Sequence, residues 1–278
     1  MSLNFSLEQF PDADFPVLVE DPSHAHAFGL GQNHLHPNRQ LNTAWLLSEA
    51  LYRHRSAIAA RTSIRGADLV DSEGKPVIPV VLCASVSGLS SGFSEGDTVA
   101  FDIGLSPSPE NGWRSLVNFR NYAGDGVRIE LVTEFRHIQM PNTATPPMNA
   151  PYVAPLNARA LSRSRELLQD GARLMNAARS SSPNPRFEIE IIPNIHLNGA
   201  GLIDPNIYSD FIRQCSHARS ESQDRTFVEL SQRLHVFHHY DVPRRLSLDC
   251  DGVGTTIFRN ADDNQIVAIA ETETASSH

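Results

Sequence analysis

The stretch Asn194-Ile-His-Leu-Asn-Gly-Ala-Gly-Leu-Ile-Asp-Pro-Asn-Ile-Tyr-Ser-Asp-Phe-Ile-Arg213 carries a polar, glycine-bearing loop straight into an amphipathic helix. A second stretch of the same kind, His34-Leu-His-Pro-Asn-Arg-Gln-Leu-Asn-Thr-Ala-Trp-Leu-Leu-Ser-Glu49, lies near the other end of the chain. Each sets His and Asn beside a helix N-terminus, where unpaired backbone N–H groups and the positive end of the helix dipole favour developing negative charge. Such a loop is suited to polarising a carbonyl.

Outward from the earlier loop, the helix is expected to start near Leu41. Leu41, Ala44, Trp45, Leu47, Ala50, Leu51, His54 and Ile58 recur at three- and four-residue intervals, so one stripe can be buried while Arg53, Arg55 and Arg61 point away. Asn42 is placed to cap the first turn. The period then changes from 3.6 to 2. Strands are predicted over 76–87, 98–105, 113–122 and 127–138, with hairpin turns at 96–97, 107–112 and 123–126. Upstream, 15–20 and 24–31 read as short extended pieces.

Residues 139–156 are rich in Pro, Asn and Thr and read as a linker, followed by a connecting helix over 157–179 that Ser180-Ser-Ser-Pro-Asn-Pro185 ends. The order then repeats: a strand over 187–192, the loop over 194–206, a helix over 207–218, and strands over 226–237, 245–250, 254–260 and 265–271. Residues 272–278 are small and polar and are expected to fray. One long helix followed by an antiparallel meander, met twice, is the element order of an α+β double hot dog fold. In it, two antiparallel sheets joined edge to edge each wrap around a long helix. The expected division is an N-terminal hot dog over 1–140, a linker with connecting helix over 141–185 and a C-terminal hot dog over 186–278.

Composition excludes more than it identifies. The 278 residues have an ordinary apolar content of 40% and a net charge of −9, which speaks against phosphate-backbone binding as the main role. Cys83, Cys215 and Cys250 show no CxxC spacing and form no even set, so neither a zinc site nor a disulfide framework is indicated. The N-terminus lacks a basic and apolar leader pattern, and no apolar run of membrane-spanning length occurs. A reduced cytoplasmic setting, with no membrane span, is the expectation. His235, His238 and His239 around Tyr240 alternate along a predicted strand rather than converging on a metal.

Trp45-Leu-Leu47, Glu49 and His54 resemble the Trp-Leu-Leu-x-Glu and downstream His pattern of a bacterial biosynthetic family typified by the leinamycin-pathway acyltransferase/decarboxylase. Asn198-Gly-Ala200, Tyr208 and Phe211 are similar to that family's Asn-Gly-Ala loop and aromatic helix. The resemblance spans nearly the whole chain. It implies a double hot dog fold and acyl groups carried on coenzyme A or acyl carrier protein. No cofactor is implied beyond the coenzyme A or phosphopantetheine that belongs to the substrate. There are departures. Where the family has Gly-Leu-Ser-Glu at the first helix, this chain has Gln40-Leu-Asn-Thr43, which removes a carboxylate from the helix start. The tyrosine that the family is thought to use as acyl acceptor has only Tyr52, Tyr208 and Tyr240 as candidates. A histidine loop leading to Leu46-Leu-Ser-Glu-Ala-Leu51 also resembles the hot dog hydroxyacyl-thioester dehydratases, whose chemistry pairs a base with an acid.

The expected function is acyl-thioester processing in polyketide or fatty-acid-like secondary metabolism, as acyl transfer with or without decarboxylation. Dehydratase or thioesterase chemistry, and a non-catalytic carrier-binding or scaffold role, are the alternatives. His196, Asn198, His34, Asn42, Glu49 and Tyr208 are the candidate catalytic residues, and Gly199, Gly201, Trp45 and Arg53 the candidate substrate contacts. Asn198 is assigned as hydrogen-bond donor to the thioester oxygen and His196 as acid or base. Each has a structural alternative. Glu49 can pair with Arg53 one turn on, His196 and Asn198 can satisfy their own loop, and Asp204-Pro-Asn206 can be a capping turn. Arg53, Arg55, Arg61 and Arg65 are the candidate docking patch for an acidic carrier protein, in a chain that is free to form a homodimer.

Overall fold

The computed structural model describes residues 28–36, 40–62, 77–89, 92–108, 112–137, 158–181, 187–198, 201–223, 227–237, 242–250 and 254–276. The expectations for 15–20, Arg65, 139–156, Gly199, His238, His239 and Tyr240, and for the Arg61 side chain, lie outside the described residues.

The chain begins with β1 (Phe28–Gly29), a 3-10 turn at Gln32–His34 and helix α1 (Thr43–Thr62). Strands β2 (Val77–Ser87), β3 (Thr98–Ser108), β4 (Gly112–Asn121) and β5 (Gly126–His137) follow, then helix α2 (Ala158–Ser180). The second run holds β6 (Phe187–Glu190), the short helix α3 (Pro193–His196) and α4 (Pro205–Gln223). It closes with β7 (Phe227–Val236), β8 (Arg245–Cys250), β9 (Thr255–Asn260) and β10 (Ile266–Ser276).

The ten strands form one antiparallel sheet in the order β1-β3-β4-β5-β2-β7-β10-β9-β8-β6. Two five-stranded halves meet along a seam where β2 pairs with β7, from Cys83 opposite His235 to Ser87 opposite Ser231. Period-2 alternation decides the faces. Val81, Ala84, Val86, Ile129 and Leu131 pack with Leu46, Leu47, Ala50 and Leu51 of α1. Leu234, Val236, Phe258 and Ala270 pack with Tyr208, Phe211 and Ile212 of α4. The opposite face takes α2, with Leu167 on Cys83 and Val132, and Ala178 on Ile266 and Ile269. α1 is buried on most of its circumference because the sheet curves around it while α4 lies alongside. Truncating Leu46 or Leu47 to Ala is therefore in the class that costs about 2–5 kcal/mol.

Three local expectations need correcting. Residues 272–276 are the end of β10 rather than a frayed tail. Thr272 to Ser276 pair with Gln232 to Phe227 across one register shift, because the Thr-Glu-Thr alternation continues the strand pattern. Arg53 does not point away. Its guanidinium lies over the Phe101 ring, 3.9 Å from the centroid, and its side chain is only 15% exposed. The loop before α4 contains α3, which Pro193 opens at a position where a missing N–H is no loss.

Candidate functional site

Both helix-start loops have the same construction. A short helical turn ends at His34 or His196, an isolated antiparallel bridge joins Leu35 to Leu41 or Leu197 to Ile203, and the long helix follows. His36 N donates to Gln40 O at 2.7 Å, and Asn198 N to Leu202 O at 2.9 Å, at matching positions. The histidines match as well. His34 Nδ1 accepts the Gly31 N–H at 2.9 Å, and His196 Nδ1 accepts the Ile192 N–H at 3.0 Å. A backbone N–H can only donate, so both rings carry their proton on Nε2 while these bonds hold. His34 packs on Trp45 with ring centroids 4.5 Å apart, and His196 meets Phe211 edge-on at 5.1 Å.

What separates the loops is the residue set at the helix start. At α1, Asn42 Oδ1 accepts Ala44 N at 3.0 Å and Trp45 N at 3.2 Å, which closes the N-terminus. Beside it stands Glu229 of β7, brought from the other half of the chain. A register shift between Glu273 and Thr274 of β10 leaves Leu230 as the extra residue of a bulge, which re-aims the side chain before it. The Thr43 hydroxyl donates to Glu229 Oε1 at 3.4 Å. The Gln40 amide brackets the Glu229 backbone: Nε2 donates to the carbonyl at 2.8 Å and Oε1 accepts the N–H at 3.3 Å. Glu229 is half-buried, and burial holds its carboxyl up, to about 7, against the lowering effect of the Thr43 hydroxyl. At α4 the matching positions are Leu202 and Pro205, so among the described residues this polar junction is built at one helix start only.

A carboxyl that titrates near neutrality beside a helix start can take a proton from water or from substrate and give it back. Glu229 was not anticipated from the sequence. Its only signal there is one acidic residue inside an otherwise apolar stretch of strand, Phe227-Val-Glu-Leu.

The sequence-predicted residues divide between this junction and elsewhere. Asn42 caps α1 and Trp45 lies in its first turn, with His34 at the end of the preceding 3-10 turn. Glu49 binds Arg53 one turn on, with Nε to Oε1 at 2.7 Å, so the pairing set against catalysis is what forms. The Asn198 amide works within its loop: Oδ1 accepts Leu202 N at 3.1 Å and Nδ2 donates to Asp204 Oδ1 at 2.8 Å. Asp204 stands just before Pro205 at the start of α4 and is also reached by Arg55 at 3.5 Å. Gly201 has φ +75° with open space around it, so glycine is required there by conformation rather than by close approach. Tyr208 is buried in the second core against Phe258, and burial pushes its hydroxyl pKa up. Burial and Arg213 of α4 lower the His36 pKa, against the opposing effect of Asp210.

His54, noted in the sequence as part of the apolar stripe, is fully buried between two hydroxyls. Nδ1 lies 3.0 Å from Ser115 Oγ and Nε2 3.0 Å from Thr133 Oγ1. Thr133 donates its one proton to Trp113 O at 3.0 Å, so it accepts from Nε2–H, and Ser115 donates to Nδ1. Burial, with Arg55 nearby, lowers the ring pKa to about 3, which makes His54 a neutral core histidine.

No protein-family model matches the chain, and no curated protein matches it by sequence. Solved structures do match. An acyl-ACP thioesterase from Bacteroides thetaiotaomicron superposes with a TM-score of 0.61 at 10% identity, over 90% of this chain and 96% of that one. The 12:0-ACP thioesterase from Umbellularia californica gives 0.56 at 13% identity, over 91% and 93%. HtdX of Mycobacterium tuberculosis gives 0.52 at 10% identity, over 89% and 97%. At these identities the likeness is one of fold, and together with the sheet it establishes the α+β hot dog architecture in doubled form. No helix among the described residues is long and apolar enough to cross a membrane.

Proposed function

We propose that the protein hydrolyses acyl thioesters carried by acyl carrier protein or coenzyme A, with Glu229 as the carboxyl that activates water at the start of α1. The observation that carries this reading is the Glu229 carboxyl, held near neutrality beside Thr43 and fixed through its backbone by Gln40. At neutral pH part of the population is ionised and can accept a proton from water, and the resulting acid can protonate the leaving thiolate. The positive end of α1 favours the oxyanion that forms on the carbonyl. Acyl-ACP thioesterases among the structures of like fold, each matched over nine-tenths or more of its length, support the substrate class.

Hydrolysis is preferred to acyl transfer through either of the two tyrosine candidates among the described residues. Tyr208 is sealed in the core with its hydroxyl pKa raised, and Tyr52 is 61% exposed more than two turns along α1 from the helix start. The carboxylate missing from Gln40-Leu-Asn-Thr43 is, on this reading, supplied by Glu229 from across the seam. A carrier protein would dock through Arg55, whose side chain is 42% exposed, more readily than through Arg53, which Glu49 and Phe101 already engage. Intact-mass spectrometry after incubation with a panel of acyl-coenzyme A and acyl-carrier substrates tests the proposal. Free acid with regenerated thiol is expected. An acyl group moved to a second carrier, loss of water from the acyl chain, or no change in mass each overturns hydrolysis in favour of transfer, dehydration or binding.

A further inference from the structure

On the face of the sheet opposite α1 and α4, α2 crosses the seam, packing on Cys83 and Val132 at one end and on Ile266 and Ile269 at the other. Beside it lies a recess of about 860 Å³. The floor is the seam itself, where Ser87 stands opposite Ser231 and Ser85 opposite Arg233. These serines face away from α1, because Ala84 and Val86, which alternate with them, pack against it. Small side chains here leave a trough between longer ones on the flanking strands. The two walls carry opposite charge. On the β5 side stand Arg128, opposite Ser87, and Arg163 of α2. On the β10 side stand Glu271 and Glu273. The remaining charges are matched within the protein: Glu130 binds the buried Arg114, and Arg233 lies 3.5 Å from Asp170. Glu271 and Glu273 form no salt bridge among the described residues. The Ser231 hydroxyl donates to Glu273 Oε2 at 3.1 Å, which holds that carboxylate at the trough without neutralising it. Arg163 is 40% exposed, and its contacts with Glu130 and Glu166 engage only part of its five N–H donors.

We propose that this recess binds a small zwitterion with a carboxylate at one end and an ammonium at the other. The carboxylate lies on Arg128 and Arg163 above the serine hydroxyls, and the ammonium lies between Glu271 and Glu273. Both charges are specified because a plain anion would meet the glutamate wall and a plain cation the arginine wall, and like charges brought together repel. The serines of β2 and the glutamates of β10 are two strand spacings apart, about 10 Å, which sets how far the two groups of the ligand must be separated. The site is distinct from the one at Glu229, which lies on the α1 side of the sheet beside Thr43.

The test is calorimetric titration of the full chain at low salt with 6-aminohexanoate, alongside hexanoate and hexylamine, each of which lacks one of the two charges. Saturable one-site binding of 6-aminohexanoate is expected, with both analogues weaker by about tenfold or more, as loss of a charged hydrogen bond dictates. Arg128→Gln and Glu273→Gln, both at exposed positions where folding is undisturbed, should each weaken binding by a similar factor. Ser87→Trp, which fills the trough from its exposed end, should abolish it. No saturable binding below about 10 mM, hexanoate or hexylamine binding as tightly as the zwitterion, or binding untouched by Arg128→Gln and Glu273→Gln would each overturn the proposal. If Ser87→Trp fails to fold, the two analogues and the two charge variants still decide it.

Discussion

Replacing Glu229 with Gln should stabilise the protein at alkaline pH while leaving it unchanged in acid. Burial raises the carboxyl from 4.5 to about 7, a difference that corresponds to about 3 kcal/mol between its two protonation states. Between those two values the native chain binds more protons than the unfolded chain, so stability is fully present below about 4.5 and falls as pH rises through about 7. Gln keeps the shape and an acceptor oxygen for Thr43 but never ionises. The variant should therefore match wild type at pH 4.5 and exceed it by roughly 2–3 kcal/mol at pH 8.5, allowing for the part of the carboxyl that still reaches water. Urea unfolding of both proteins at the two pH values measures the gap directly. A gap that does not change with pH, or a variant less stable than wild type at pH 8.5, would refute the reasoning.

Other substitutions separate positioning from packing. Gln40→Ala removes both hydrogen bonds to the Glu229 backbone and should lower kcat about tenfold, with a stability cost of about 1–3 kcal/mol, by steady-state kinetics and thermal melting. Asn198→Ala strips the Leu202 N–H and Asp204 of their partner and should lower the melting temperature, at about 1–3 kcal/mol. His54 acts in the opposite sense to Glu229. Its neutral ring contributes stability that is present above about 6.5 and lost as pH falls toward about 3. His54→Gln should therefore show a shallower loss of stability below pH 6 in urea titrations.

The fold was legible in the sequence because it depends on periodicity. The change from 3.6 to 2 after residue 62, the turn clusters at 96–97 and 123–126, and the two polar loops before helices locate nearly every element to within a few residues. The end of β10 was missed because its polar alternation looks like a tail until Phe227–Glu229 stand opposite it. The candidate site was half legible. Asn42 reads as a cap from its position alone, yet the carboxyl beside it comes from residue 229 through a seam pairing and a bulge, and neither leaves a local pattern. His196 and Asn198 look chemical in sequence because His and Asn are the residue types of active sites. In space their Nδ1 and amide groups bond to the loop itself.

The pH dependence of kcat/KM with a medium-chain acyl-carrier thioester tests the role of Glu229 most directly. Wild type should show a rising limb with an apparent pKa near 7, and Glu229→Gln should lose the limb together with about 10²–10⁴ of the rate while remaining folded. A folded Glu229→Gln variant that keeps its activity within about threefold, far less than a general base supplies, or that retains the same limb, would contradict the assignment.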